Sequence, residues 1–361
     1  MDQHPHSAVP GDGDARHRVP EAGSAVPGPA APHPSPAPDS AAASGEDLRR
    51  VLAELSTVVV GQSHLCRSLV VAMLAGGHVL LEGVPGVAKT LAVSTFAGIV
   101  GGSFSRIQFT PDLVPSDIVG TRIFRQDTGE FLVEDGPVMA NVVLADEINR
   151  APAKVQSALL EVMAERQVSI AGRTRPVPDP FLVLATQNPI ENQGVYPLPE
   201  AQRDRFLLKV DVGYPSPSEE REIVYRMGGE APRARRILDP ARVRTLQESA
   251  RRVFVHHSLI DYVVAVVELT RNPSRAGLDD VDRWLAYGAS PRATLGAVSA
   301  ARATALLAGR DYVIPDDVVS VLPDVLRHRL VLGYEGLADG ADPDDIVRRI
   351  LASVRLPQAG A

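Results

Sequence analysis

Short apolar runs alternate with stretches of helical periodicity between about residues 46 and 212 of the 361-residue chain. Each apolar run is only four or five residues long, which is typical of buried strands rather than of helices. We predict strands at 78–81, 106–109, 142–145, 181–185 and 206–210, all buried on both faces, and helices at 64–75, 90–100, 153–165 and 199–204. Strands that alternate with helices predict an α/β fold with a doubly wound parallel sheet.

Two further pairs of short runs, near 121–134 and 167–178, are typical of hairpins inserted into this scheme. After Pro215 the strand-like runs cease and helical periodicity takes over, at 218–227, 240–253, 258–270, 291–308 and 315–329. These segments begin with Ser, Asp or Pro, the residues that favour helix starts. We therefore predict an α/β domain over 45–213, a smaller all-helical domain over 214–332, and a segment 333–361 with one more helix at 341–354, either packed or loose.

Residues 1–44 have a different composition from the rest of the chain. They are rich in Pro, Ala, Gly, Ser and Asp and contain almost no large apolar residue. Such a segment buries too little apolar surface to offset the entropy lost on ordering. We predict a disordered tail.

The overall composition limits the classes of partner and compartment. The net charge is −7 and the sequence pI about 5.7, whereas nucleic-acid binders usually carry a basic excess, so the charge disfavours nucleic acid as the main partner. Cys66 is the one cysteine, which excludes an internal disulfide and fits a reducing compartment. No apolar run approaches the roughly 20 residues of a membrane span, and the N-terminus lacks a signal peptide's apolar region. We expect a cytoplasmic protein.

A glycine-rich segment, GVPGVAKT, directly follows the first predicted strand and precedes a helical run. Glycines let successive backbone N–H groups face phosphates at a helix N-terminus. Lys89 is placed to reach the β- and γ-phosphates, and the Thr90 hydroxyl to ligate magnesium. Ala88 stands where the strict pattern has glycine, and its methyl group is tolerated if the residue has ordinary helical dihedral angles. A plain glycine-rich turn is the alternative. The predicted phosphate-binding residues are Gly83, Val84, Pro85, Gly86, Val87, Ala88, Lys89, Thr90 and Leu91.

Two acids, Asp146 and Glu147, end the apolar run at 142–145. Ligands of open α/β sheets bind at the carboxyl ends of the strands, where a buried acid pair has a chemical use. Asp146 is predicted to hold magnesium, directly or through water, and Glu147 to activate the attacking water. The alternative is an acid pair that caps the helix that follows.

Asn188 follows the next predicted strand and is therefore expected beside Glu147. From there it is placed to hold the attacking water or touch the γ-phosphate. A turn-forming Asn-Pro pair is the alternative.

Taken together, these features resemble an AAA+ ATPase, and residues 57–212 are similar to the MoxR family. Four stretches match that family almost residue for residue: GVPGVAKT at 83–90, IQFTPDLVPSDIVG at 107–120, GPVMANVVLADEIN at 136–149 and ATQNPIENQGVYPLPEAQRDRF at 185–206. With the helical half, the similarity covers about 290 residues. It implies an AAA+ nucleotide-binding domain followed by a helical lid, with ATP and Mg²⁺ bound.

The resemblance adds further site residues. Val60, Gly61 and Gln62 look like the family's adenine-side segment. Arg205 looks like an arginine finger that reaches the γ-phosphate bound by a neighbouring subunit. The neighbouring Arg203, where the family usually has an apolar residue, leaves the choice between the two open, and a surface salt bridge is the other reading of Arg205. Arg292 resembles a second sensor that contacts phosphate from the lid of the same subunit.

The function implied by the resemblance is ATP hydrolysis by a homo-oligomeric ring, expected to be a hexamer, that remodels or activates protein complexes. MoxR-like proteins are associated with partners that carry a von Willebrand factor A domain, so such a protein is a candidate client. Two alternatives stay open: a DNA-associated AAA+ motor, and a slow ATP-dependent switch or scaffold.

Overall fold

The structure, a computed structural model, describes residues 40–127, 129–189, 194–228 and 232–357. Within these ranges the strands are β1 (Val79–Glu82), β2 (Phe104–Gln108), β3 (Gly120–Arg125), β4 (Glu130–Asp135), β5 (Val142–Asp146), β6 (Gln167–Ile170), β7 (Arg173–Pro176), β8 (Leu182–Gln187), β9 (Leu208–Asp211), β10 (Leu285–Tyr287) and β11 (Val331–Leu332). The helices are α1 (Ala41–Val58), α2 (Ser63–Ala75), α3 (Lys89–Val100), α4 (Pro115–Val119), α5 (Ala153–Glu165), α6 (Glu200–Arg203), α7 (Pro217–Met227), α8 (Pro240–Arg252), α9 (His257–Leu269), α10 (Asp279–Trp284), α11 (Pro291–Leu307), α12 (Pro315–Leu326), α13 (Tyr334–Ala338) and α14 (Pro343–Ser353).

Five parallel strands form the central sheet in the order β2-β5-β8-β1-β9. Successive residues of β1 point to opposite faces: Val79 and Leu81 belong to one apolar cluster and Leu80 to the other. Helices α1, α2 and α3 cover the first face, and α5 covers the second. The predicted doubly wound parallel sheet is confirmed, and so are the two inserted hairpins, β3–β4 and β6–β7.

Strand β2 differs from its prediction. It lies at the edge of the sheet, and of its five residues only Ile107 is buried. The prediction that every strand of the sheet is buried on both faces is therefore wrong for β2. The side chains of β2 lie at the margin of the sheet, beyond its packed interior, and four of the five keep contact with solvent.

The helical part begins with α7 and packs against the α/β part through one continuous apolar core. Buried residues of α8, α9, α11 and α12 share a cluster with those of α1, α2 and α3. One exception to the all-helical prediction is the antiparallel pair β10–β11. The C-terminal segment forms two helices, α13 and α14, rather than one, and α14 buries Ile346, Val347 and Ile350.

The predicted tail ends earlier than expected. Residues 1–39 lie outside the described residues, but helix α1 already begins at Ala41, so the boundary at residue 44 is wrong by a few positions. Ser44 and Gly45 are buried in it. A Cβ atom on Gly45 would lie 2.6 Å from Gly309 Cα, so the small residue lets α1 pack closely. Of the helices described, none is long and apolar enough to cross a membrane.

Candidate functional site

The glycine-rich loop connects the end of β1 to the start of α3, which begins at Lys89. Two glycines are required by the local geometry. A Cβ atom on Gly83 would lie 2.4 Å from the carbonyl oxygen of Val212, and Gly86 has a φ of +86°. The loop therefore turns where the first N–H groups of α3 lack partners within the helix, which is the geometry that binds phosphate.

The backbone angles of Ala88 are not the ordinary helical angles under which its methyl group was expected to be tolerated. Its φ is 64° and its ψ 19°, in the left-handed region that disfavours residues with a Cβ atom. The position is therefore one that glycine fits better, as the strict loop pattern has it. The chain holds a non-glycine residue in this conformation directly before Lys89.

The Lys89 side chain folds back over the loop. Its ammonium group donates hydrogen bonds to the carbonyl oxygens of Gly83 and Val84, the latter at 2.9 Å. Burial lowers the pKa of Lys89, and the carboxylates of Asp146, Glu147 and Glu82 oppose this shift. The ammonium group lies where a phosphate oxygen would replace those carbonyl oxygens as its partner.

Asp146, at the end of β5, is buried and contacts residues from three other elements. Thr186 on β8 donates a hydrogen bond to its Oδ1 at 2.6 Å. Thr90 Oγ1 lies 3.4 Å from its Oδ2. Arg106 on β2 donates to the same Oδ2 from Nη2 at 2.7 Å and from Nε at 3.1 Å.

A hydroxyl and a carboxylate oxygen at this separation are hard oxygen donors, the kind that Mg²⁺ prefers. The pair formed by Thr90 and Asp146 fits that ion, because Mg²⁺ in phosphate sites takes one or two protein ligands and completes its shell with phosphates and water. The residues present therefore suit the metal predicted from the sequence.

Glu147 adopts left-handed backbone angles, with φ 56° and ψ 51°. Its N–H donates to Thr186 Oγ1 at 2.8 Å, and this bond helps to hold the strained backbone. The carboxylate accepts a hydrogen bond from Gln108 Nε2 at 3.0 Å and pairs with Arg150 Nε at 3.1 Å. These contacts hold the Glu147 carboxylate between Gln108 of β2 and Arg150, which follows β5.

A cleft of about 360 Å³ joins these residues. It is lined by Pro85, Gly86, Val87, Ala88, Lys89, Thr90, Leu91, Arg106, Gln108, Asp146, Glu147, Thr186, Gln187 and Asn188. Asn188, which follows β8, is buried and lines the same cleft as the acid pair. The structure thus brings together most of the phosphate loop, both acids and Asn188.

The segment Val60, Gly61 and Gln62 is not in the lining of this cleft but close to the base of the loop. Gln62 Nε2 donates to Gly213 O at 3.1 Å, one residue after the Val212 carbonyl that Gly83 contacts. Gly61 has a φ of +78° and packs against the Glu219 carboxylate of α7. The segment is thus held at the loop's first residue.

A second cleft, of about 350 Å³, contains Arg205 and Arg292. Its lining includes Gly77 and His78, which precede β1, whereas the phosphate loop follows β1. At about 3.3 Å per residue, His78 and Gly83 are roughly 16 Å apart along the strand. The two clefts therefore lie at opposite ends of β1.

The lid does not bring Arg292 to the phosphate loop of its own chain, so the contact expected within one subunit is not made in this structure. The physical reason is the packing of α11 on α1 and α2, which fixes its N-terminus beside Asp204. Ser290 Oγ donates to Asp204 Oδ2 at 2.9 Å, and Arg292 Nη1 lies 3.4 Å from the same oxygen.

The two neighbouring arginines have different surroundings. Arg205 lines the second cleft with Arg292 and donates to Leu160 O at 2.9 Å. Arg203 does not line that cleft; it lies 3.9 Å from Glu200 on its own helix. Of these two arginines, Arg205 therefore shares a cleft with Arg292 and Arg203 does not.

Four residues of the first cleft are absent from the sequence predictions: Thr186, Gln187, Arg106 and Gln108. Thr186 and Gln187 are the last two residues of β8, and the sequence prediction rested on the polar residue that follows this strand. Arg106 and Gln108 alternate on β2, which was predicted to be buried. Polar side chains at every second position of an apolar strand are the signal that could have revealed them.

Comparison with known proteins agrees with this architecture. The family model described as "ATPase family associated with various cellular activities (AAA)" matches residues 78–208, and the "AAA lid domain" model matches residues 279–350. A crystal structure of a candidate ATPase from Cytophaga hutchinsonii superposes with a TM-score of 0.83 at 43% identity, covering 88% of this chain and 97% of that one. The fold and the cleft thus define an AAA+ ATPase with its helical lid.

Proteins of similar sequence identify the family to which the chain belongs among the AAA+ ATPases. Chaperone MoxR1 of Mycobacterium tuberculosis is 64% identical over 320 residues, which cover 89% of this chain and 85% of the relative. Protein MoxR of Methylorubrum extorquens is 34% identical over 325 residues, with 84% and 93% covered. The chain belongs to the MoxR family of AAA+ ATPases.

Proposed function

We propose that the chain hydrolyses ATP at sites shared between adjacent copies in a ring, expected to be a hexamer, and thereby remodels protein clients. The observation that carries this proposal is the separation of two half-sites by β1. The first cleft holds the loop, Asp146 and Glu147, and the second holds Arg205 and Arg292. Residues at opposite ends of one strand come together only between different copies, and a head-to-tail interface of this kind forms a ring when the rotation between copies closes.

Each residue of the first cleft has a chemical role in this proposal. The loop N–H groups and Lys89 bind the phosphates, while Val60, Gly61, Gln62 and Leu91 lie on the purine side. Thr90 and Asp146 would hold Mg²⁺, which neutralises charge on the phosphate oxygens when bound. Glu147 accepts a proton from the attacking water, and Asn188 orients that water.

Arg205 and Arg292 complete the site from the neighbouring copy. Both guanidinium groups present donors to a γ-phosphate and stabilise the charge that spreads over its oxygens in the transition state. Arg205 is proposed as the finger rather than Arg203, because it shares a cleft with Arg292. Arg292 thus keeps its predicted contact with phosphate but makes it across the interface.

The exposed surface of the hairpin β3–β4 supports the proposal that the client is a protein. It exposes four large apolar side chains: Ile123, Phe124, Phe131 and Leu132. Phe124 and Phe131 lie 5.0 Å apart between ring centroids and form an apolar surface patch. Exposed patches of this kind mark sites of protein contact. A protein with a von Willebrand factor A domain is the proposed client class, in the cytoplasm.

Two measurements test the shared site. Glu147→Gln is expected to bind ATP but to lose hydrolysis by a factor of roughly 10²–10⁴, the usual contribution of a general base, while Glu130→Gln on the exposed hairpin hydrolyses at the wild-type rate. Lys89→Ala and Arg205→Ala are each expected to be inactive alone. Mixed in equal amounts, they restore about one quarter of the sites, because a quarter of the interfaces then pair two intact halves.

Outcomes against the proposal are specific. Wild-type turnover by Glu147→Gln excludes it as the base, and mixtures that stay inactive exclude a site shared between copies. Stimulation of hydrolysis by DNA would favour a DNA motor instead. For the client, Phe124→Ser with Phe131→Ser should leave hydrolysis intact and remove ATP-dependent association with a von Willebrand factor A domain.

A further inference from the structure

Asp146 Oδ2 is the oxygen that faces the proposed metal position, because Thr90 Oγ1 lies beside it and Thr186 occupies the other oxygen, Oδ1. The same Oδ2 accepts two hydrogen bonds from Arg106, at 2.7 and 3.1 Å. A guanidinium group therefore lies where the carboxylate would meet a divalent cation. The guanidinium group and a divalent cation cannot both bind this oxygen closely, because two cations at one carboxylate oxygen repel each other strongly.

Arg106 is free to leave this position. It belongs to β2, the edge strand, and its side chain is 52% exposed, whereas that of Asp146 is 10% exposed. An exposed guanidinium group regains water when it moves away, so the displacement costs little solvation energy. Asp146 stays in place, and if neither cation were present its buried charge would keep only the hydrogen bond from Thr186 and the field of the Lys89 ammonium group.

Gln108 links this contact to the second acid. Its Oε1 accepts a hydrogen bond from Arg106 Nη2 at 3.0 Å, and its Nε2 donates to Glu147 at 3.0 Å. A continuous chain of hydrogen bonds thus runs from Asp146 through two side chains of β2 to Glu147. Movement of Arg106 therefore changes the partners of both acids.

We propose that Arg106 is a surrogate cation: it neutralises Asp146 while the metal is absent and is displaced from Oδ2 when Mg²⁺ binds. Arg106 acts through Asp146 and is a positioning residue, not a catalytic one. It keeps the phosphate cleft able to accept a nucleotide without metal, and it sets how strongly nucleotide binding depends on Mg²⁺. The inference rests on the proposed role of Asp146 at the metal.

The test compares the Kd of fluorescent ADP with and without Mg²⁺, the metal-free sample containing a chelator. Without the guanidinium group, bare Asp146 repels the phosphates, so Arg106→Gln should weaken metal-free binding while binding with Mg²⁺ stays equal or tightens. The ratio of the two Kd values should rise by about tenfold, which corresponds to about 1.4 kcal/mol. Arg106→Lys, which keeps the charge but loses the fork geometry, should give a smaller rise.

Controls separate this idea from its alternatives. Arg348→Gln removes a guanidinium group that pairs with Asp345 at 2.8 Å on α14, and it should leave the ratio unchanged. Adding Asp146→Asn to Arg106→Gln should abolish the rise. Equal weakening with and without metal would make Arg106 a phosphate ligand and overturn the inference, as would an unchanged ratio. If wild-type binding itself ignores Mg²⁺, the proposed metal role of Asp146 fails instead.

Discussion

Thr186 donates a hydrogen bond to Asp146 at 2.6 Å and, through the same hydroxyl oxygen, accepts one from the backbone N–H of Glu147. One side chain on β8 thus positions both acids at the end of β5. The hydroxyl group is buried, so its removal leaves the Asp146 carboxylate and the Glu147 N–H without that partner.

We therefore predict that Thr186→Val lowers the rate of ATP hydrolysis by roughly 10–100-fold, as loss of a group behind a metal ligand commonly does. The free energy of unfolding should fall by about 1–3 kcal/mol. Steady-state hydrolysis and urea denaturation measure the two effects. Thr174→Val, which removes an exposed hydroxyl on β7, is the matched control and should change neither. Wild-type turnover by Thr186→Val would contradict the positioning role.

Asp204 connects the helical part to the α/β part. It accepts a hydrogen bond from Arg329 Nε at 2.7 Å, and the Arg329 side chain is only 3% exposed. Burial lowers the pKa of Arg329, and Asp204 opposes that shift. Asp204→Asn should lower the free energy of unfolding by about 3 kcal/mol, because it leaves a buried guanidinium group without its carboxylate partner.

Urea denaturation of Asp204→Asn checks this value. The control is Asp345→Asn, whose partner Arg348 is exposed, and a loss below about 1 kcal/mol is expected there. Equal losses for the two variants would show that Asp204 contributes no more than a surface ion pair.

His78 makes stability depend on pH. The imidazole is buried, accepts a hydrogen bond from Val183 N at 3.0 Å, and has its pKa lowered to about 4, mainly by burial and secondly by Arg166. A histidine whose folded pKa is below its unfolded value contributes stability above about pH 6.5 that is lost as the pH falls towards 4. Between pH 7 and pH 5 this loss is about 2 kcal/mol.

The measurement is urea denaturation of wild type and His78→Asn at both pH values. Asparagine keeps an acceptor for Val183 N but does not titrate, so the variant should lose about 2 kcal/mol less on acidification. His64 provides a control whose contribution to stability has the opposite pH dependence, because its hydrogen bond to Asp324 raises the pKa of His64. Stability from His64 is present below pH 6.5 and is lost at higher pH. Identical pH dependence of wild type and His78→Asn would refute the assignment.

Ala88 is strained in the left-handed region, where glycine carries no penalty. Ala88→Gly should therefore raise the free energy of unfolding by about 1 kcal/mol. Ala53→Gly in the middle of α1 is the contrasting control, and it should lower that free energy by about the same amount. Destabilisation by both substitutions would show that the backbone of Ala88 relaxes without cost.

The sheet and the phosphate loop were predictable because their signals are local. A buried strand leaves a continuous apolar run, and the loop's glycines, Lys89 and Thr90 follow one another in the chain. Asp146 and Glu147 were found for the same reason. The contacts of Arg106 and Thr186 were not predictable, because they depend on which strands become neighbours and in which register.

Two other departures from the sequence predictions have identifiable physical causes. The start of α1 contains Ala, Ser and Gly, whose composition resembles that of the preceding tail, and only close packing against Gly309 reveals why small residues suit a helix there. The position of Arg292 depends on where the helical part docks. That docking is decided by apolar surfaces of α1, α2 and α11 far apart in the sequence, and no motif records it.

The four-residue strand β1 separates the phosphate loop from the arginine cleft, and this separation determines how the proposed sites are counted. An open chain of copies has one complete site fewer than it has copies, because its two end copies share no interface. Closing the ring supplies that interface and its site. Every chain then belongs to two centres, giving the acids to one and the arginines to the other. A copy that lacks both the acids and the arginines therefore inactivates two adjacent centres. A copy that lacks only one of these groups inactivates one centre.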